Sequence, residues 1–153
     1  HALMKAVLFL ALAAIFYRIN SVNIKDMAGL GKAMAISMAA FLIGGLSLIG
    51  VPLTVGFVSK WYLILAALEN SWWPVAILIL FSSLLAVIYI WKIIEVTYLT
   101  SRPKEAPKVT EVSSQMLIPI WALVCANIYF GIDTDLTVSV AESIAQALVG
   151  GKP

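Results

Sequence analysis

Gly50-Val51-Pro52-Leu53-Thr54-Val55-Gly56-Phe57-Val58-Ser59-Lys60 lies inside a long stretch, Ala33 to Leu68, in which Lys60 is the only acidic or basic side chain. As one plain helix that stretch would reach roughly 54 Å, whereas a hydrocarbon core of about 30 Å needs only about 20 residues. Pro52 removes a backbone donor, and Gly50 and Gly56 tolerate irregular dihedrals, so the pattern predicts a helix broken inside a membrane. Irregular backbone at that depth persists only where protein buries it or water reaches it. Ser47, Thr54 and Ser59 are placed to satisfy the freed backbone groups. Counting back from Asn70 puts Lys60 about 15 Å below that end of the span, near the midplane. A lysine there costs roughly 2.5–3.5 kcal/mol on insertion scales, and such residues usually mark ion or proton paths.

The rest of the chain has the same character. Hydrophobic residues make up 62% of it and charged residues 12%, with a mean hydropathy of +1.01, the composition of an integral membrane protein. The net charge of +2 is spread over loops without a basic stripe, which excludes nucleic acid as a partner. No Ser/His/Asp set can be argued around the single histidine, His1, no Cys/His cluster has zinc spacing, and Gly29-Leu30-Gly31 lacks the strand context or third glycine of a dinucleotide loop. Neither a metal nor an organic cofactor is expected, and hydrolytic chemistry has no support. Cys125, alone in an apolar stretch, is expected to be a buried, inert thiol. His1 opens directly into the apolar run Ala2 to Tyr17, without a basic leader or a small-residue cleavage pattern, so the chain reads as a fragment whose missing part lies upstream.

The expected fold class is all-α, a polytopic transmembrane helix bundle with one discontinuous helix. Its helices fall at about 1–19, 32–69 (broken near 50–56), 73–99 and 116–132, which makes 1–132 the transmembrane region. In the tail, 133–153, Val140, Ile144 and Leu148 are spaced for a short interfacial helix that ends at Gly150-Gly151. The segment 100–115, with Pro103 and Pro107, reads as a solvated loop. Arg18, Lys25 and Lys32 follow the first helix, Arg102, Lys104 and Lys108 follow the third, and the turn from Glu69 to Trp73 has neither Lys nor Arg. Loops 20–31 and 100–115 are therefore expected on the cytoplasmic side and the tail on the opposite side.

His1 and Lys5 are four apart and share a helix face. Lys5 stands about 20 Å up the helix from Arg18, so it too falls in the hydrocarbon region. Either it takes part in proton exchange with His1 through water, or it snorkels or pairs with a carboxylate beyond these residues. A buried lysine suits proton work because desolvation destabilises the charged form, which a nearby carboxylate would restore. No carboxylate in the chain has an obvious claim to that role toward Lys60. Lys92 and Glu95 read as a surface pair near a helix end, Trp72, Trp73, Trp91 and Tyr98 as interfacial anchors, and Asn127 and Pro119 as packing features.

At His1-Ala2-Leu3-Met4-Lys5-Ala6-Val7-Leu8-Phe9, and from Gly50-Val51-Pro52 through Gly56-Phe57-Val58-Ser59-Lys60, the chain resembles the proton-translocating antiporter-like family. That family joins the large subunits of Mrp-type monovalent cation/proton antiporters to the antiporter-like subunits of respiratory complex I. Tyr17-Arg18-Ile19, Met38-Ala39-Ala40-Phe41, Gly44 to Gly50 and Ser59-Lys60-Trp61-Tyr62-Leu63 look most like the D-type Mrp subunit, and the likeness reaches Asn127-Ile128-Tyr129-Phe130-Gly131. The resemblance implies the last four of about fourteen helices, closing the second of two inverted repeats. It also implies that Lys60 is the lysine of the second broken helix, and that His1 and Lys5 belong to a hydrated central axis, with further key residues outside these. The implied function is proton translocation in a hetero-oligomeric complex of the bacterial inner (plasma) membrane that exchanges sodium for protons. Its rivals are a proton-pumping subunit of complex I or a membrane-bound hydrogenase, and a scaffold in which Lys60 merely packs.

Overall fold

Helix α3, Ala35–Ile49, stops at Gly50, and helix α4, Val55–Glu69, starts after Thr54. Gly50 ends α3 in the left-handed region, with φ at 94°, a conformation that glycine adopts without a Cβ penalty. Its N–H donates to the carbonyls of Leu46 and Ser47, and the Val51 N–H donates to Leu46. Neither half is long enough to cross a bilayer alone, since each reaches only about 22 Å.

The computed structural model describes residues 1–103 and 107–149, and no strand occurs among them. The other helices are α1 (Ala2–Ile19), the short α2 (Leu30–Ala33), α5 (Trp73–Ile94), α6 (Ser114–Ile132) and α7 (Asp135–Val149). A 3₁₀ turn, Ile24–Met27, precedes α2, and α5 runs into a π turn, Glu95–Leu99. Three stretches among the described residues are long and apolar enough to cross a membrane: Ala2–Ile19, Trp73–Leu99 and Ser114–Ile132. The second element is more divided than its pattern suggests, because Met34, at φ −127° and ψ 55°, separates α2 from α3.

Helix α3 packs against α1, α5 and α6. Small residues allow that approach: Gly44 faces Val7 and Leu8 of α1, and Gly45 faces Ile90 of α5. The core then closes with Val7, Ala11 and Ile15 of α1, Met38 and Phe41 of α3, and Ile120 and Val124 of α6.

Two expectations need correction. The 100–115 segment is not simply a solvated loop, because Val112 is 5% exposed inside the core and Val109 packs against it. Lys104, which contributed to the charge count of that segment, lies outside the described residues, as do Gly150-Gly151 and Lys152. Cys125 is exposed, not buried. Helix α6 turns Ile120, Val124 and Asn127 inward, and at 3.6 residues per turn this carries position 125 to the outer face.

The same segment contributes Glu111, whose Oε2 accepts the N–H groups of Ile36 at 2.9 Å and Ser37 at 3.2 Å. Its Oε1 accepts from the Ser37 hydroxyl, and Arg18 donates to the Glu111 backbone carbonyl. A carboxylate at a helix start satisfies orphan N–H groups and complements the helix dipole. Replacing Glu111 with alanine is expected to cost about 1–2 kcal/mol. A lowered thermal midpoint of the detergent-solubilised protein is the readout, and an unchanged midpoint would show that α3 needs no such cap.

Candidate functional site

Lys60 lies in the second turn of α4, and its side chain reaches back across the break. Nζ donates to the Leu48 carbonyl at 2.8 Å, the Ile49 carbonyl at 2.9 Å and the Ser83 hydroxyl of α5 at 2.7 Å. Leu48 and Ile49 are at the end of α3, where carbonyls have no partner within the helix and the dipole is negative. An ammonium has three protons to donate, and here each has an acceptor. Helix α3 is therefore held between opposite charges, Glu111 at its start and Lys60 at its end. Gly50 keeps room for this arrangement, since a Cβ there would lie 3.0 Å from Lys60 Cδ.

The lysine borders a cavity of about 650 Å³ that also takes in His1, Met4 of α1, Ser59 of α4, and Phe81, Ser82 and Tyr89 of α5. That volume has room for a chain of waters, and His1, Ser59 and Tyr89 supply polar points along the wall. His1 and Lys60 thus share one cavity. Lys5 does not line it; it is exposed over an adjoining cleft of about 190 Å³, which has Leu48 and Tyr89 in common with the first. Among the described residues no carboxylate lines the Lys60 cavity. Glu142 of α7 lines a separate cavity of about 410 Å³ that shares Ser59 with it.

Each hydroxyl flanking the break has a bond there. Thr54 Oγ1 donates to the Val51 carbonyl at 2.6 Å and Ser59 Oγ to the Gly56 carbonyl at 3.1 Å. Ser47 Oγ accepts the Gly56 N–H at 3.3 Å and donates to Asn127 Oδ1 at 2.8 Å. One hydroxyl therefore links α3, α4 and α6. One turn beyond Asn127, Gly131 packs against the backbone of Leu53 and Thr54 so closely that a Cβ would stand 2.5 Å from the Thr54 carbonyl carbon. Helix α6 thus grips both halves of the broken element, whereas the sequence suggested only general packing for Asn127.

Asn127 is 0% exposed. Its replacement by alanine leaves the buried Ser47 hydroxyl without its acceptor, and is expected to cost about 1–3 kcal/mol. The check is a thermal midpoint, and a value equal to that of the native protein would remove the clamp from the account. Ser83 is the residue that sequence reading missed. Its signal was available, a pair of hydroxyls at Ser82-Ser83 inside an apolar helix, but nothing along the chain says that the second faces Lys60.

The bundle has the fold of an antiporter-type membrane subunit. It superposes on a chain in the structure of the Mrp complex from Dietzia sp. DQ12-45-1b with a TM-score of 0.84 and 22% identity, covering 95% of this chain and 35% of that one. Residues 1–86 match the family described as NADH:quinone oxidoreductase/Mrp antiporter, TM, and the chain belongs to that family. It is 32% identical to NADH-quinone oxidoreductase subunit N of Desulforudis audaxviator (strain MP104C), over 91% of this chain and 30% of that relative. A chain in the structure of the membrane-bound sulfane sulfur reductase, an archaeal respiratory membrane complex, matches with a TM-score of 0.79 and 30% identity, over 86% of this chain and 22% of its own length. The chain thus spans about a third or less of the length of these relatives.

Proposed function

We propose that the chain forms part of the proton-translocating subunit of a multisubunit monovalent cation (sodium)/proton antiporter, the D-type subunit of an Mrp complex. In this reading α3 and α4 together make one discontinuous crossing, with Gly50, Pro52 and Gly56 at the break, and Lys60 is the group that takes up and releases the proton. His1 exchanges protons with it across the shared cavity, and Lys5 acts from the adjoining cleft. The subunit sits in the bacterial plasma membrane among the other subunits of its complex, with loops 20–31 and 100–115 cytoplasmic and the tail opposite. The ion gradient supplies the energy, and no cofactor is required of this chain.

The observation that carries this reading is the placement of Lys60. Its ammonium joins the two half-helices at a built break and borders a cavity large enough for water, with the chain's one histidine on the same wall. A residue that merely packed would not need a cavity beside its charge. The names of the relatives support a second reading, in which the same lysine pumps protons in a respiratory complex where electron transfer elsewhere provides the drive.

The test is cation-driven proton movement in everted vesicles carrying the full-length parent complex, comparing wild type with Lys60→Ala at equal assembly. Loss of exchange supports the antiporter reading. Exchange at the wild-type rate leaves Lys60 structural. No cation-driven exchange even in the wild type, with proton movement coupled to respiration, selects the respiratory reading.

A further inference from the structure

We infer that Ser83 is the positioning residue that lets Lys60 exist in both of its protonation states, by reversing the direction of their shared hydrogen bond. This rests on Lys60 being the proton carrier. The three acceptors around Nζ differ in what they can do. As an ammonium, Lys60 donates to the carbonyls of Leu48 and Ile49 and to Ser83 Oγ. After losing a proton it keeps two N–H donors and gains a lone pair, which needs a donor of its own.

A carbonyl accepts only. The two carbonyls can therefore keep the two remaining N–H groups, but neither can serve the lone pair. The Ser83 hydroxyl can, because a hydroxyl carries one proton and rotates to suit its neighbours. At 2.7 Å from Nζ it needs no movement of its oxygen, only rotation of the O–H bond. Ser83 is half-buried on α5, and no other hydroxyl lies within hydrogen-bond reach of Nζ among the described residues. Turning about the Cε–Nζ bond swings one N–H from Ser83 toward the cavity that Lys60 lines, and the proton leaves to water there. Among the described residues, the titratable groups that share that cavity are His1, which precedes α1, and Tyr89 from α5; α3 and α6 contribute none.

Removal of the hydroxyl has a definite sign. The ammonium loses an acceptor and the neutral amine loses a donor. Hydrogen bonds to a charged group are roughly twice as strong as neutral ones, so the charged form loses more. In Ser83→Ala the alkaline limb of the exchange rate should move to lower pH by about one unit, equivalent to a tenfold change in the protonation equilibrium of one site. Ser83→Thr keeps the hydroxyl and should restore the wild-type profile.

The experiment is the pH profile of cation-driven proton movement in everted vesicles with the full-length complex, for wild type, Ser83→Ala, Ser83→Thr and Lys60→Ala at matched assembly. A shifted alanine profile with a wild-type threonine profile supports the assignment. An alanine profile that superposes on wild type overturns it, as does a shift that threonine fails to restore, which would assign the effect to packing. If Lys60→Ala itself exchanges normally, the underlying proton-carrier reading has failed instead, and Lys60→Ala reports that separately.

Discussion

Lys60→Arg is expected to stop cation-driven proton movement as fully as Lys60→Ala, by tenfold or more, roughly the loss of one essential protonation step. Arginine keeps the positive charge, and its guanidinium can bond carbonyl oxygens, so it can still cap the end of α3. What it cannot do is give up a proton at any pH a membrane tolerates. The substitution therefore separates the counter-charge to the helix end, which the hydrogen bonds show, from the exchangeable proton site proposed above. If charge alone mattered, the arginine variant would assemble and exchange normally while alanine failed. Initial rates in everted vesicles, with assembly of the complex measured first, distinguish the outcomes, and a fully active arginine variant would leave Lys60 as a structural cation.

Gly56→Ala should have the largest effect on the fold itself. A Cβ at position 56 would stand 1.8 Å from the Ser47 carbonyl oxygen and 2.6 Å from Met4 Sδ. The first obstacle is backbone, so no rotamer change can relieve it, and the two half-helices would have to separate. Separation also loosens the Gly56 N–H bond to Ser47 and the Lys60 bonds to Leu48 and Ile49. The expected cost is about 3 kcal/mol or more, at the upper end for overpacking. Gly44→Ala is the control: its nearest obstacle is Val7 Cγ1 at 2.9 Å, a side-chain atom, so it should cost less. The measurement is assembly yield together with the thermal midpoint in detergent. Equal midpoints for Gly56→Ala and wild type would mean that the half-helices are not held as closely as the structure places them.

Much of the architecture was legible because membrane helices announce themselves locally. An apolar run of sufficient length, a proline between glycines and a lone charge are properties of consecutive residues, and they located α1, the break and α5. Boundaries were less secure where side chains from elsewhere decide them. The start of α3 is fixed by Glu111, 75 residues from Ile36 in sequence, and no local signal points to it. For the same reason the 100–115 segment looked solvated from its prolines and charges, although Val112 closes the core and Glu111 caps a helix. Composition reports that the stretch around Cys125 is apolar but not which side of its helix meets a neighbour, and the thiol is exposed.

The sequence by itself determined that this is a multi-helix membrane chain and that one element is interrupted beside a lysine. Those conclusions follow from the cost of moving charge and unpaired backbone into hydrocarbon, which each residue incurs wherever its neighbours lie. Only the tertiary structure decided what the lysine bonds to. Ser83 is 23 residues from Lys60 and Asn127 is 80 from Ser47, and such pairings arise from how the helices pack. The same packing puts His1 on the Lys60 cavity and leaves Lys5 outside it. Hydrogen bonds act over about 3 Å, so their partners are chosen by the fold and not by the residue types alone.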